Sequence, residues 1–410
     1  MSDDDTPNIG GDDVPDPSTD GPDTTTDEAA VAPVTRDGAR AAADSRRNRK
    51  MAIIAGLVAL AVLGGGALVF ALTSSDDPAP TTTTTTTSTT VAPTTTVPVP
   101  VGPIAPLTGV QLAVDDAAGA ALLNRPALVA KVDNAPEAMP QIGLQYADMV
   151  IEIEVEGISR YMSIFQSKDV QQVGPIRSAR TSDPDLLAMF VRPLVAWSGG
   201  NRNVTEIMDA TPWIQNLTPT QAPNAYSRTR SKSAPHNLVL DVPTVYSYAD
   251  QPPALPTQLF NYLAPGQDPG GFPVLGFSVR VGTSPSSFAW DGIAGNWPRF
   301  ANGRRHLDED GNQLAPTNVI VLETTYRPSD ADSRSPEAVT IGGGSATVFT
   351  QGRVIAGSWQ RDAPEQPWRL TGLDGQPILL TPGPTWVELP QTGQPAQLLD
   401  EPTVAGLQTL

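Results

Sequence analysis

Val150–Glu156 reads VIEIEVE, and this stretch decides the fold class. From Ile151 onward apolar and acidic residues alternate without a fault. Extended backbone has a two-residue period, so Ile151, Ile153 and Val155 share one face and Glu152, Glu154 and Glu156 share the other. Gly157 permits a turn or bulge, and Tyr161–Phe165 (YMSIF) reads as the partner strand. Upstream, Ala127–Val132 (ALVAKV) is a short apolar run closed by Asp133-Asn134, the pattern of a buried strand ending in a turn. Downstream, Asp183 is placed to cap a helix with Pro184 at its first position; an apolar stripe then runs to Val191 and Pro193 stops it. Leu194–Trp197 follows as a strand closed by Ser198-Gly199-Gly200.

Beyond the Pro-rich crossing Gln251–Pro273, helical periodicity nearly vanishes. Short runs at Leu275–Val281, Asn318–Leu322, Ala346–Phe349, Ile378–Leu380 and Trp386–Leu389 are separated by turn signals at Asp310-Gly311, Gly342-Gly343-Gly344 and Asp374-Gly375. The expected fold class is therefore α+β. An α/β-like region over 104–255 is followed by a mostly antiparallel β region over 256–400.

Three segments of other character precede these regions. Residues 1–50 hold twelve acids and six bases, ten of the acids before Val31 and all the bases from Arg36 to Lys50. With no aromatic residue and no apolar run, this tail cannot offset the entropy of ordering it and is expected to be disordered. Residues 51–72 are 22 consecutive residues without a charge, which at about 1.5 Å per residue spans a hydrocarbon core of about 30 Å. Arg46, Arg47, Arg49 and Lys50 precede this predicted membrane helix and Asp76 and Asp77 follow it, so the N-terminus is expected in the cytoplasm and the remainder outside. Residues 73–103 are rich in Thr and Pro and read as an extended stalk.

Composition excludes several chemistries. There is no cysteine, hence no disulfide, thiol nucleophile or acylated cysteine. The net charge of -18 argues against nucleic acid as a partner, because phosphate backbones need a basic face. With only His236 and His306 to supply imidazole, neither a His-rich metal site nor any cofactor is expected. Gly342-Gly343-Gly344 lacks the Lys-Ser/Thr of a phosphate-binding loop.

An ordered series of motifs carries a resemblance: Pro106-Leu107-Thr108-Gly109, Asn124-Arg125-Pro126, Val132-Asp133-Asn134, Pro140-Gln141, Ala147-Asp148, Val155-Glu156-Gly157 ahead of Arg160, Val173–Arg180 (VGPIRSAR), Ala234-Pro235-His236-Asn237 and Gly383-Pro384-Thr385-Trp386. Over roughly 106–390 the chain resembles the YerB-like family of bacterial lipoproteins, whose function is unknown. The resemblance implies two extracytoplasmic domains, here 104–255 and 256–400. The chain departs from it in lacking a lipid-bearing cysteine, whose place the apolar segment takes, and in having Gly157 alone before Arg160.

The richest set of candidate ligand-binding groups is Asp133, Asp148, Glu152, Glu154, Glu156, Arg160, Arg177 and Arg180, with His236 from its motif. Three glutamates on one strand face repel one another unless bases answer them. Such a set reads as a solvated face with structural ion pairs, as an anion or glycan site, or as paired acid/base carboxylates. The expected function is a membrane-anchored envelope protein that binds a cell-wall glycan or an envelope partner. The alternative is an envelope enzyme, a glycan hydrolase or phosphoryl transferase acting on peptidoglycan or a lipid-linked wall precursor.

Overall fold

The structure, a computed structural model, describes residues 101–410. The predicted tail, the predicted membrane helix and the stalk up to Pro100 lie outside the described residues. Among the described residues no helix is long and apolar enough to cross a membrane.

The fold is α+β, mostly sheet with few and short helices. β1 (Leu128–Val132), β2 (Met149–Val155) and β3 (Ile158–Phe165) form where the apolar runs and the alternation predicted strands. The two-residue loop Glu156-Gly157 joins β2 to β3, and Gly157 adopts φ +83°, a backbone that costs other residues about 1–2 kcal/mol. β3 pairs antiparallel with both β1 and β2. On their far sides β1 runs parallel to Leu194–Ala196, and β2 runs parallel to Thr385–Leu389. Thr385–Leu389 is parallel to Asn318–Leu322 as well, a departure from the antiparallel pairing expected of this region. The main sheet continues through Gly342–Thr350, Arg353–Arg361 and Arg369–Gly372, so it draws strands from both sides of residue 255.

Hydrophobic clusters cover both faces of this sheet. On one face Val129, Ile151, Ile153, Met162 and Val387 pack against Leu186, Phe190, Val204 and Met208 of the short helices. On the other, Val132, Val150, Tyr161, Val319 and Trp386 pack against Phe277, Phe288 and Trp297. The last three belong to a smaller antiparallel sheet built on Gly276–Val281, Ser284–Ala289 and Arg299–Ala301, or lie beside it. Being central, β2 has no water-facing side, and Glu152 is 0% exposed. The alternation located the strand correctly, but its three acids do not share one environment: Glu152 is enclosed, Glu154 is half-buried and Glu156 lies in the exposed turn.

Two further expectations shift. Asp183 lies inside the first turn of the helix Asp183–Leu187 and is not its cap, because its carboxylate takes Lys131 Nζ at 2.7 Å and Arg180 N at 2.8 Å. Gly342–Gly344 open a strand instead of forming a turn. A β-carbon on Gly344 would lie 2.6 Å from Trp359 Nε1, so the glycines there let the strand approach the indole closely.

Candidate functional site

At the carboxyl end of β1 the chain turns away at Asp133, whose backbone N donates to Pro175 O at 3.0 Å. The segment up to Arg177 then fills the gap beside it. Arg177 N donates to Lys131 O at 2.8 Å, and Arg177 O accepts from Ser198 N at 3.0 Å. This wedging brings four cations together: Lys131 from β1, Arg160 from β3, and Arg177 and Arg180 from the VGPIRSAR stretch.

Most of these charges are answered. Lys131 Nζ pairs with Asp183 Oδ1 at 2.7 Å, and burial pulls its pKa below the usual lysine range despite that partner. Arg180 Nη2 reaches Glu156 at 2.6 Å, and its Nη1 donates to Ala179 O at 2.7 Å. Asp133 Oδ2 lies 2.7 Å from His236 Nδ1 and 3.0 Å from Arg177 Nε. The second contact is off the N–H axis, so it is an ion contact and not a hydrogen bond.

Arg160 is the exception. Its side chain is buried, with the residue 4% exposed, and it makes no hydrogen bond or ion pair among the described residues; Nε and Nη1 have no partner. Burial, then Arg180 and Arg177, push its pKa down to about 10, while Asp133 and Glu156 act the other way. At neutral pH it remains a buried, charged and unpartnered guanidinium. Beside the cluster opens a cleft of about 300 Å³, lined by Glu156, Ser178, Arg180, Thr181, Arg334 and Ser335. Ser335 Oγ is also buried there without a partner.

The structure thus gathers Asp133, Glu156, Arg160, Arg177, Arg180 and His236 at one place and separates the other three predicted residues from it. Glu152 points to the opposite face of the sheet. Its Oε2 accepts from Arg299 Nη2 at 2.6 Å and from Trp386 Nε1 at 3.3 Å, and its Oε1 accepts from Ser159 Oγ. Glu154 accepts from Gln391 Nε2 at 2.8 Å. Asp148 takes Gln166 N at 2.6 Å, Ser167 N at 2.8 Å and Ser167 Oγ; burial pushes its pKa up, and those hydrogen bonds oppose the shift.

Around Glu152 lies a polar network that the sequence reading missed. Glu388 faces Glu152 across the parallel pair, is 0% exposed, and has no hydrogen-bond partner on either oxygen. Burial and then the neighbouring Glu152 push its pKa well above the ordinary value, and Arg299 Nη2, 3.9 Å from Oε1, acts the other way. Arg299 Nη1 lies 2.6 Å from His306 Nδ1, and His306 Nε2 lies 2.8 Å from Gln141 Oε1. Burial and then Arg299 drive the His306 pKa well down; the ring is neutral, accepts at Nδ1 and donates at Nε2. The only sequence signal for Glu388 was a lone acid in the apolar run Trp386–Leu389; for Arg299 there was none.

Comparison with known proteins matches this architecture. The family described as "Protein of unknown function (DUF3048) N-terminal domain" matches residues 107–254, and its C-terminal domain matches residues 277–387. The protein named "Putative lipoprotein YerB" from Bacillus subtilis (strain 168) is 28% identical over 301 residues, covering 70% of this chain and 85% of its own length. The crystal structure of the YerB protein from Bacillus subtilis has the same fold, with a TM-score of 0.61 at 24% identity, covering 70% of this chain and 96% of that one. With both domains matched in order across the mixed sheet and its arginine cluster, the chain belongs to the DUF3048 family of YerB-like proteins.

Proposed function

We propose that this is a single-pass envelope protein, its N-terminus cytoplasmic and its 101–410 module extracytoplasmic, which captures an acidic group of a cell-wall glycan at Arg160. The name of the Bacillus relative supports the location: a lipoprotein is held at a membrane by lipid, and here the apolar segment 51–72 takes that role behind its basic flank. The observation that carries the binding reading is Arg160 itself. A buried charge without a partner is costly, and the arrangement becomes favourable when a phosphate or carboxylate seated in the adjoining cleft beside Arg180 neutralises the guanidinium.

The test is capture of purified wall fragments by the full-length chain. Arg160→Gln is expected to lower retention about ten-fold or more without loss of melting temperature, since it removes an unpaired buried charge. Arg202→Ala, at a solvent-facing arginine, is expected to leave retention unchanged. Equal retention by Arg160→Gln and the parent would refute the reading; capture of an envelope protein in place of glycan would redirect it to that partner.

A second reading, an envelope enzyme acting on peptidoglycan or a lipid-linked wall precursor, is favoured by one contact. Asp133 holds His236 at 2.7 Å, with the imidazole 19% exposed beside the arginines, the arrangement of an oriented proton acceptor. Soluble products released from the same wall fragments, and lost in His236→Gln, would establish it.

A further inference from the structure

On the face of the sheet opposite the arginines, a second cleft of about 360 Å³ opens where the two halves of the chain meet. Leu144, Gln145 and Lys168 line it from the first half, Asn296 and Leu314 from the second, and Trp386 from the central strand. Its volume falls in the range of about 300–1,000 Å³ usual for small-molecule sites.

Two side chains in this cleft are left unsatisfied. Gln145 buries both Oε1 and Nε2 without a partner, and Asn296 buries Oδ1 without one. Neither amide makes a side-chain hydrogen bond among the described residues. Of the polar groups next to them, Lys168 Nζ donates to Gln145 O at 3.5 Å, and two more are already held. Asp308 accepts from Asn312 N at 2.7 Å and Asp310 N at 3.0 Å, and Gln313 accepts from Arg305 Nε at 2.8 Å and donates to Arg299 O at 2.8 Å. Buried amides are almost always paired, so two that converge on one cleft from separate halves of the chain call for a guest.

The chemistry of that guest follows from theirs. Each amide presents donors and an acceptor, so its complement carries a donor and an acceptor on neighbouring atoms. Vicinal hydroxyls and acetamido groups of sugars do so, and the C–H faces of a pyranose suit Leu144, Leu314 and the edge of Trp386. A simple anion offers no donor to Gln145 Oε1 or Asn296 Oδ1. We propose that this cleft is a binding subsite for an uncharged saccharide unit. It deepens the envelope-glycan reading by naming a second, neutral subsite, and stands apart from the Arg160 test because the probe is uncharged and the cleft lies across the sheet.

The experiment is calorimetric titration of the full-length chain with an N-acetylglucosamine tetramer and, separately, with cellotetraose. Saturable binding of either is expected, and the stronger of the two reports whether acetamido or hydroxyl groups are read. The double variant Gln145→Met, Asn296→Leu is expected to weaken binding about ten-fold or more while its melting temperature holds or rises, because it removes buried unpaired amides. A merely structural role predicts a fall in melting temperature. Should that double variant fail to fold, Gln145→Glu keeps the shape and removes the donor, and is expected to weaken binding by a similar factor. No binding of either tetramer by the parent, or binding unchanged in a folded variant, would overturn the proposal.

Discussion

The Glu388 carboxyl is pushed well above its ordinary pKa, and that sets a pH dependence at the scale of one residue. Burial comes first among the causes, and Glu152 on the neighbouring parallel strand comes next. When the chain unfolds, Glu388 reverts to a pKa of about 4.3, so above that pH the unfolded state holds fewer protons than the folded one. Stability therefore falls as pH rises from about 4.3 on account of this residue. Glu388→Gln fixes the uncharged form and allows an amide hydrogen to be donated to Glu152. The variant is expected to be more stable than the parent at neutral pH, with the gain shrinking toward pH 4. Denaturant melts at several pH values check this; a gain that is constant or grows toward acid would contradict it. His306 acts in the opposite sense. Its folded pKa is depressed, so the unfolded ring binds the extra proton below about 6.5, and its contribution is lost as the medium is acidified through that point.

At the scale of the element, the sequence was informative about period and poor about partners. The two-residue alternation placed β2 to within one residue, because the hydrophobic face needs that spacing whatever lies opposite. The same alternation could not say what the glutamates face. Glu152 meets Arg299, 147 positions away, and spacing along a strand carries no record of a contact made through a second sheet. The arginine cluster was legible only as a set of neighbouring bases, and the wedging of Pro175–Arg177 against β1 is what converts it into a site. Gly342–Gly344 misled for a related reason: glycine marks both turns and close approaches, and Trp359 decides between them. Gly344→Ala would drive a β-carbon to 2.6 Å from the Trp359 indole nitrogen and 2.7 Å from Glu323 O. A cost of about 1–3 kcal/mol is expected. Gly375→Ala, in open space at φ +78°, is expected to cost about 1–2 kcal/mol through its backbone alone. Adding Trp359→Phe should recover part of the loss at Gly344 and none at Gly375, and recovery at neither would show that the indole is not the obstacle.

At the scale of the molecule, the two family domains share one sheet and one polar network. β2 takes Thr385–Leu389 as its parallel neighbour, and Glu152 from the first half takes Arg299 from the second. Cutting the chain near residue 255 therefore exposes a central strand edge and strips a buried carboxylate of its cation. Removing one partner of a buried pair alone costs about 3–5 kcal/mol, a large part of the 5–15 kcal/mol that holds a typical protein folded. Both hydrophobic faces of the sheet would also lose packing, since Val132, Val150 and Tyr161 lie in one cluster with Phe277, Phe288 and Trp297. The fragment 104–410 keeps all of these contacts and is expected to melt in one cooperative transition, insensitive to reductant because the chain has no cysteine. The separate fragments 104–255 and 256–410 are expected to show broad, non-cooperative traces with persistent binding of a hydrophobic dye, and to recover a cooperative transition when refolded together. Two independent sharp transitions from the separated halves would mean that the continuous sheet contributes little, and that the strand pairing across residue 255 is a docking of finished domains and not a shared core.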